Sequence, residues 1–154
     1  MDAGDTLPSE LTAIVDHYDH VSIAVRDFSS MENLMTLVGA AEFDGGHERR
    51  ADFHWIQYRM PGNAVLELIR TDSTSPNHFI NRFIADRGEG LHHITFKVSD
   101  IADARQACLA AGFRVIGYDD TDPAWQELFL HPDSTHGVLV QLAASSESGR
   151  CSTR

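Results

Sequence analysis

The chain has 154 residues, enough to bury a substantial interior, and 42% of them are hydrophobic, as in an ordinary globular protein. Its formal net charge of -11 leaves no basic surface to neutralise phosphates, which excludes a nucleic-acid partner, and no apolar run approaches the ~20 residues of a membrane span. The two cysteines, Cys108 and Cys151, make no disulfide framework, and Met1 to Glu10 is acidic rather than signal-like, so a cytoplasmic location is expected.

Residues 1–15 mix Asp, Gly, Pro and Ser and read as an N-terminal tail, in which Leu11 to Val15 could add a short helix or strand. Val21, Ile23 and Val25 alternate with smaller or polar residues, the period of a strand with one packed face. Asp27 can cap a helix over 30–38. Strands are expected near 41–43, 53–60 and 64–69, with Pro61-Gly62-Asn63 as the turn between the last two. A linker over 71–90 carries a predicted helix at 77–85, with Phe79, Phe83 and Ile84 on one side. Ile94, Phe96 and Val98 restart the strand alternation, and Asp100 caps a helix over 101–111. That helix holds Ala104, Cys108 and Ala111 at helical spacing and stops at Gly112, a residue suited to a left-handed cap. Strands follow near 114–118, 126–130 and 138–142, with Pro132-Asp133 opening the last turn. The polar, Ser-rich stretch 144–154 reads as a flexible C-terminal tail.

The order repeats, and so do individual residues. His20-Val-Ser-Ile-Ala-Val25-Arg-Asp27 lies over His93-Ile-Thr-Phe-Lys-Val98-Ser-Asp100 at an offset of 73, which Gly39 and Gly112 keep. Val65-Leu-Glu67-Leu-Ile69 lies over Leu139-Val-Gln141-Leu-Ala143 at an offset of 74. The expected fold is α+β: a single domain over 16–143, built of two tandem βαβββ modules (17–70 and 91–143) that form a cupped sheet around a metal site.

The repeat pairs His20 with His93 and Glu67 with Gln141. If Val21, Ile23 and Val25 face a helix, then His20 and Ser22 face the other side of the sheet. The same alternation turns His93, Thr95, Glu67 and Gln141 away from their helices. Two imidazoles, a carboxylate and an amide oxygen suit a borderline divalent ion and leave positions for water or substrate.

Asp19-His20-Val-Ser-Ile-Ala-Val25, Gly90-Leu-His-His93-Ile-Thr-Phe-Lys-Val98-Ser-Asp100-Ile101 and His131-Pro132-Asp-Ser-Thr-His-Gly137-Val-Leu-Val-Gln141-Leu142 resemble the vicinal oxygen chelate superfamily (glyoxalase, bleomycin resistance, dioxygenase). Within it they are most similar to the methylmalonyl-CoA epimerases, with motifs G-x-G-x-H-H-x-x-x-x-V-x-D-I and H-P-x-x-x-x-G-V-L-x-E-L. The resemblance covers residues 17 to 143. It implies a divalent ion (Co, Ni, Mn, Zn or Fe) at His20, Glu67, His93 and Gln141, a small-molecule substrate such as an acyl-CoA, and a homodimer. His92, beside the ligand, reads as structural. One departure stands out: the last strand of those epimerases usually presents Glu, where this chain has Gln141, and an amide cannot act as a base. Glu67 supplies a carboxylate where some of them have Gln.

The activity so implied is removal of a proton next to a carbonyl, as in an epimerase or isomerase, with Glu67 as ligand and base. His54 and Glu127 are further candidate bases, on strands adjoining those of Glu67 and Gln141. Whether His54/Tyr58 or Trp55/Gln57/Arg59 faces the site is open, since both sets contain apolar residues. Arg49, Arg50 and Arg59 could receive an anionic group or form a solvated face, and His47 and His136 read as loop residues. Alternatives are a glyoxalase-type lyase, an iron(II)-dependent dioxygenase using His20, His93 and Glu67, or a non-enzymatic small-molecule binder. Against the dioxygenase, those of this superfamily carry the carboxylate on the last strand.

Overall fold

The computed structural model describes residues 14–146, so most of both expected tails, with Cys151, lies outside the described residues. The βαβββ order is present twice. The first run is β1 (Val15–Ala24), α1 (Glu32–Leu37), β2 (Ala41–Glu48), β3 (Phe53–Arg59) and β4 (Val65–Arg70). Helix α2 (Phe79–Arg87) follows, then β5 (Gly90–Val98), α3 (Ile101–Ala110), β6 (Val115–Asp119), β7 (Gln126–Leu130) and β8 (Val140–Ala144). Among the described residues no helix is long and apolar enough to cross a membrane.

Two compact units divide the described residues, one holding Asp19–Ile94 and the other residues 95–146 together with 14–18. In the first, the hydrogen-bonded order is β2-β3-β4-β1, with β1 and β4 parallel and β2-β3-β4 an antiparallel meander. One face of these strands packs on α1: Ile23, Val25, Ile56, Tyr58, Leu66 and Leu68 gather around Met35. The opposite face receives α2, where Ala24, Ile69, Phe53 and Trp55 meet Ile80, Ile84, Phe79 and Phe83. In the second unit the order is β5-β8-β7-β6, and α3 places Ile101, Ala104 and Cys108 on Val98, Leu128, Leu130 and Leu142.

Helix boundaries follow the repeat. Asp27 accepts from the Ser29 amide ahead of α1, through a short 3-10 turn at Phe28–Met31, and Asp100 accepts from the Asp103 amide at 2.8 Å ahead of α3. Gly39 (φ 67°) and Gly112 (φ 85°) end the two helices in the left-handed region.

Strand β2 corrects the expectation of a short strand at 41–43: it pairs with β3 from Ala41 to Glu48. Asp44-Gly45-Gly46 has the composition of a turn, but here the glycines serve close approach. A Cβ on Gly46 would lie 3.2 Å from the Trp55 ring, and one on Gly45 would lie 3.1 Å from the Trp55 carbonyl oxygen. His47 is consequently a strand residue and not a loop residue.

Candidate metal centre

Alternation delivers the candidate ligands to one face. Ile23 and Val25 of β1 and Leu66 and Leu68 of β4 pack on α1, so His20, Ser22 and Glu67 turn the other way, with Ser22 paired to Glu67 in the parallel register. There His20, Glu67 and His93, all buried, offer ligand atoms within 4.8 Å of one another. The two imidazole centroids are 5.8 Å apart.

Each of the three is held by a partner. Asp19 Oδ2 accepts from His20 Nδ1 at 2.7 Å, which turns His20 Nε2 toward the cluster, 3.4 Å from Glu67 Oε1. The Gln57 amide donates to Glu67 Oε2 at 3.0 Å and leaves Oε1 facing the histidine. His93 Nδ1 meets His92 Nδ1 at 2.8 Å, so Nε2 is the nitrogen His93 can offer an ion. Ligating imidazoles almost always engage a partner through their second nitrogen, and that partner fixes tautomer and ring angle.

The electrostatics favour a cation. Burial works against a charged His20, but the hydrogen bonds and charges of Asp19 and Glu67 outweigh it and hold its pKa up at about 9. Burial likewise works against an ionised Glu67, yet the His20 bond, the charges of His20 and His93 and the Gln57 donor keep its pKa below the ordinary carboxylate value. His92 is the reverse case: burial pushes it down to about 4, leaving a neutral ring. Two imidazole nitrogens and one carboxylate oxygen, buried and oriented, are donors a borderline divalent ion takes, so these residues fit such an ion.

Gln141 belongs to the other unit. Its Oε1 accepts from Thr95 Oγ1 at 2.6 Å, and its Nε2 donates to Glu127 Oε2 at 2.6 Å. Glu127 Oε2 also accepts from the Trp125 indole at 2.9 Å, and Lys97 Nζ stands 3.7 Å over the Trp125 ring. Among the His, Cys, Asp and Glu side chains of the described residues, the cluster holds His20, Glu67 and His93, three of the four residues expected from the repeat.

His54 is not brought to the cluster. It shares the parity of Ile56 and Tyr58, bonds Asp72 through Nε2 at 2.9 Å and stacks on His47. It also lines a surface groove of about 560 Å³ along β2 and β3 that shares no residue with the ligand cluster. The face of β3 left open by the sequence is thus the Trp55/Gln57 face. Arg59 lies over the Phe43 ring, and Arg49 and Arg50 are exposed at the β2–β3 turn. Sequence reasoning gave Asp19 and Gln57 no role. The hairpin register could have found Gln57, because the turn at 61–63 sets it opposite Glu67.

Paired βαβββ modules with a His–Glu–His cluster on one strand face are the design of the vicinal oxygen chelate proteins. The chain belongs to the Glyoxalase/Bleomycin resistance protein/Dioxygenase superfamily, whose model matches residues 19–129. Among its relatives is an ethylmalonyl-CoA/methylmalonyl-CoA epimerase of Cereibacter sphaeroides, 30% identical over 139 residues, a match spanning 84% of this chain and 98% of the relative. A Streptomyces coelicolor methylmalonyl-CoA epimerase variant, solved in complex with 2-nitronate-propionyl-CoA, is 26% identical with a TM-score of 0.71, covering 86% of this chain and 96% of that one. The methylmalonyl-CoA epimerase of Mycobacterium tuberculosis shares the fold at a TM-score of 0.75 and 23% identity, over 88% of this chain and 92% of its own.

Proposed function

We propose that this protein is a divalent-metal-dependent acyl-CoA epimerase that removes and returns the proton beside a thioester carbonyl. The observation that carries the reading is the buried His20–Glu67–His93 cluster with a separate orienting partner on each member. The epimerase relatives support the substrate class. A bound divalent ion would draw charge from the carbonyl oxygen and so lower the barrier to losing the adjacent proton.

The chain's own residues supply the rest. Asp19 holds the His20 imidazole in the orientation that offers Nε2. Glu67 keeps one oxygen on Gln57 and the other toward His20, so a small swing of Oε1 can accept a proton without losing the Gln57 tether. Burial of all three ligands keeps water from competing for the site. The repeat register adds Gln141 as a further ligand: its amide nitrogen is committed to Glu127, and its oxygen, which accepts from Thr95, keeps a second lone pair for coordination. Glu127 is the second carboxylate available for acid–base work.

Deuterium uptake from heavy water into methylmalonyl-CoA or ethylmalonyl-CoA tests the reading. Metal-loaded wild type exchanges the proton, and Glu67→Gln, which keeps an oxygen donor but no base, lowers exchange by about 10²–10⁴-fold. Absence of exchange by wild type on both substrates overturns the epimerase. Bound iron with oxygen consumption would assign the same two histidines and carboxylate to a dioxygenase.

A further inference from the structure

His92 is next to a ligand in sequence, and on an ideal strand neighbouring side chains point to opposite faces. Its surroundings are nonetheless specific. Phe79 and Phe83, one turn apart on α2, meet the His92 ring edge-on at centroid distances of 5.6 and 4.8 Å. Phe79 is itself wedged by Phe53 at 5.5 Å and by the His78 ring at 4.9 Å, and His78 Nε2 donates to the Ala51 carbonyl at 2.8 Å. The aromatic bracket fixes the His92 ring in place, and that ring's Nδ1 is what His93 Nδ1 meets at 2.8 Å.

We propose that His92 is a positioning residue of the metal centre: gripped by Phe79 and Phe83, it accepts the Nδ1–H of His93 and thereby fixes the tautomer and ring angle that present His93 Nε2 to the ion. It plays for His93 the part Asp19 plays for His20, a partner at Nδ1 that leaves Nε2 facing the cluster. The position of α2 over the ligand face then acquires a purpose, because the linker between the two βαβββ runs supplies the bracket. This inference rests on the metal reading of the cluster but not on the reaction assigned to it.

Cobalt(II) titration of metal-free wild type, His92→Phe and His92→Asn, followed by chelator competition and by the visible cobalt absorption, tests it. His92→Phe keeps a ring in the bracket and removes the acceptor; it binds cobalt(II) about 10–100-fold more weakly, with an altered spectrum. His92→Asn, whose side-chain oxygen can stand near the place of Nδ1, recovers most of that loss. The metal-free melting temperature of each variant separates lost folding from lost ligation. Should His92→Phe fail to fold, nitrogen NMR of the metal-free wild type decides: protonated Nδ1 and unprotonated Nε2 on His93 are expected, and the reverse tautomer overturns the proposal. Wild-type affinity and spectrum in His92→Phe, or equal losses in two folded variants, overturn it too. Failure of wild type to take up cobalt(II) would sink the metal reading beneath it; loss of the epimerase activity alone would leave it standing.

Discussion

A carboxylate and an amide of equal size differ in what they can do with a proton, and the Glu67/Gln141 pairing places that difference between the two repeats. Glu67 is buried beside two histidines, while Gln141 is tied through both ends of its amide to Thr95 and Glu127. Asp19 is the residue on which the first histidine depends. Replacing it with Ala removes the acceptor of the His20 Nδ1–H, and metal affinity falls by about 10–100-fold, measured by chelator competition. Farther out, Asp72 is held below its unfolded value of 3.8 by the Arg70 bond and, secondarily, by His54. A depressed carboxylate adds stability that is present above the unfolded value and is lost as pH falls through the folded one. Asp72→Asn should therefore lower the urea midpoint at neutral pH, with the gap to wild type closing in acid below 3.8. An unchanged gap down to strongly acidic pH would show that Asp72 acts through packing instead.

The elements were legible where local chemistry and tertiary use agree. Asp27 and Asp100 begin the module helices, Gly39 and Gly112 end them, and Ile23/Val25 against His20/Ser22 set the faces of β1. His20, Glu67 and His93, the three residues that cluster, could be picked from one sequence because the repeat supplied a second reading of each position. Reading failed where a residue serves a distant partner. The expected strand near 41–43 stopped short of Gly45 and Gly46, whose reason, the backbone and ring of Trp55, lies on another strand. The role of α2 was equally invisible: its Phe79/Phe83 face was plain, but nothing local says that this face receives His92. Two substitutions separate local from distant reasons. Asp100→Ala removes a cap whose effect is confined to α3 and should cost about 1 kcal/mol in urea unfolding. Gly46→Ala should cost about 1–3 kcal/mol, because the new methyl meets the Trp55 ring and forces it to move. A neutral Gly46→Ala would mean that the ring relaxes freely and that the glycine is incidental.

For the molecule as a whole, the ligand cluster is a concentration of cost in the metal-free state. A protonated His20, an ionised Glu67 and the imidazole of His93 are buried together, and burial opposes the charge on each ionised member. A divalent ion would replace the proton on His20 with a stronger counter-charge and bind all three ligands at once. It would do so only in the folded chain, because Asp19–His20, Glu67 and His93 come from three different strands. Mass action then makes occupancy a stability term: at a free metal concentration of 100 times Kd the folded state gains about 2.7 kcal/mol. Thermal melts of chelator-treated protein with increasing metal should show a midpoint that climbs with concentration. His93→Ala should melt near the metal-free wild-type value and stay there at every metal concentration, since removing a ligand from the face opposite α1 leaves that core intact. If His93→Ala climbed in parallel with wild type, the stabilising ion would be bound somewhere other than this cluster.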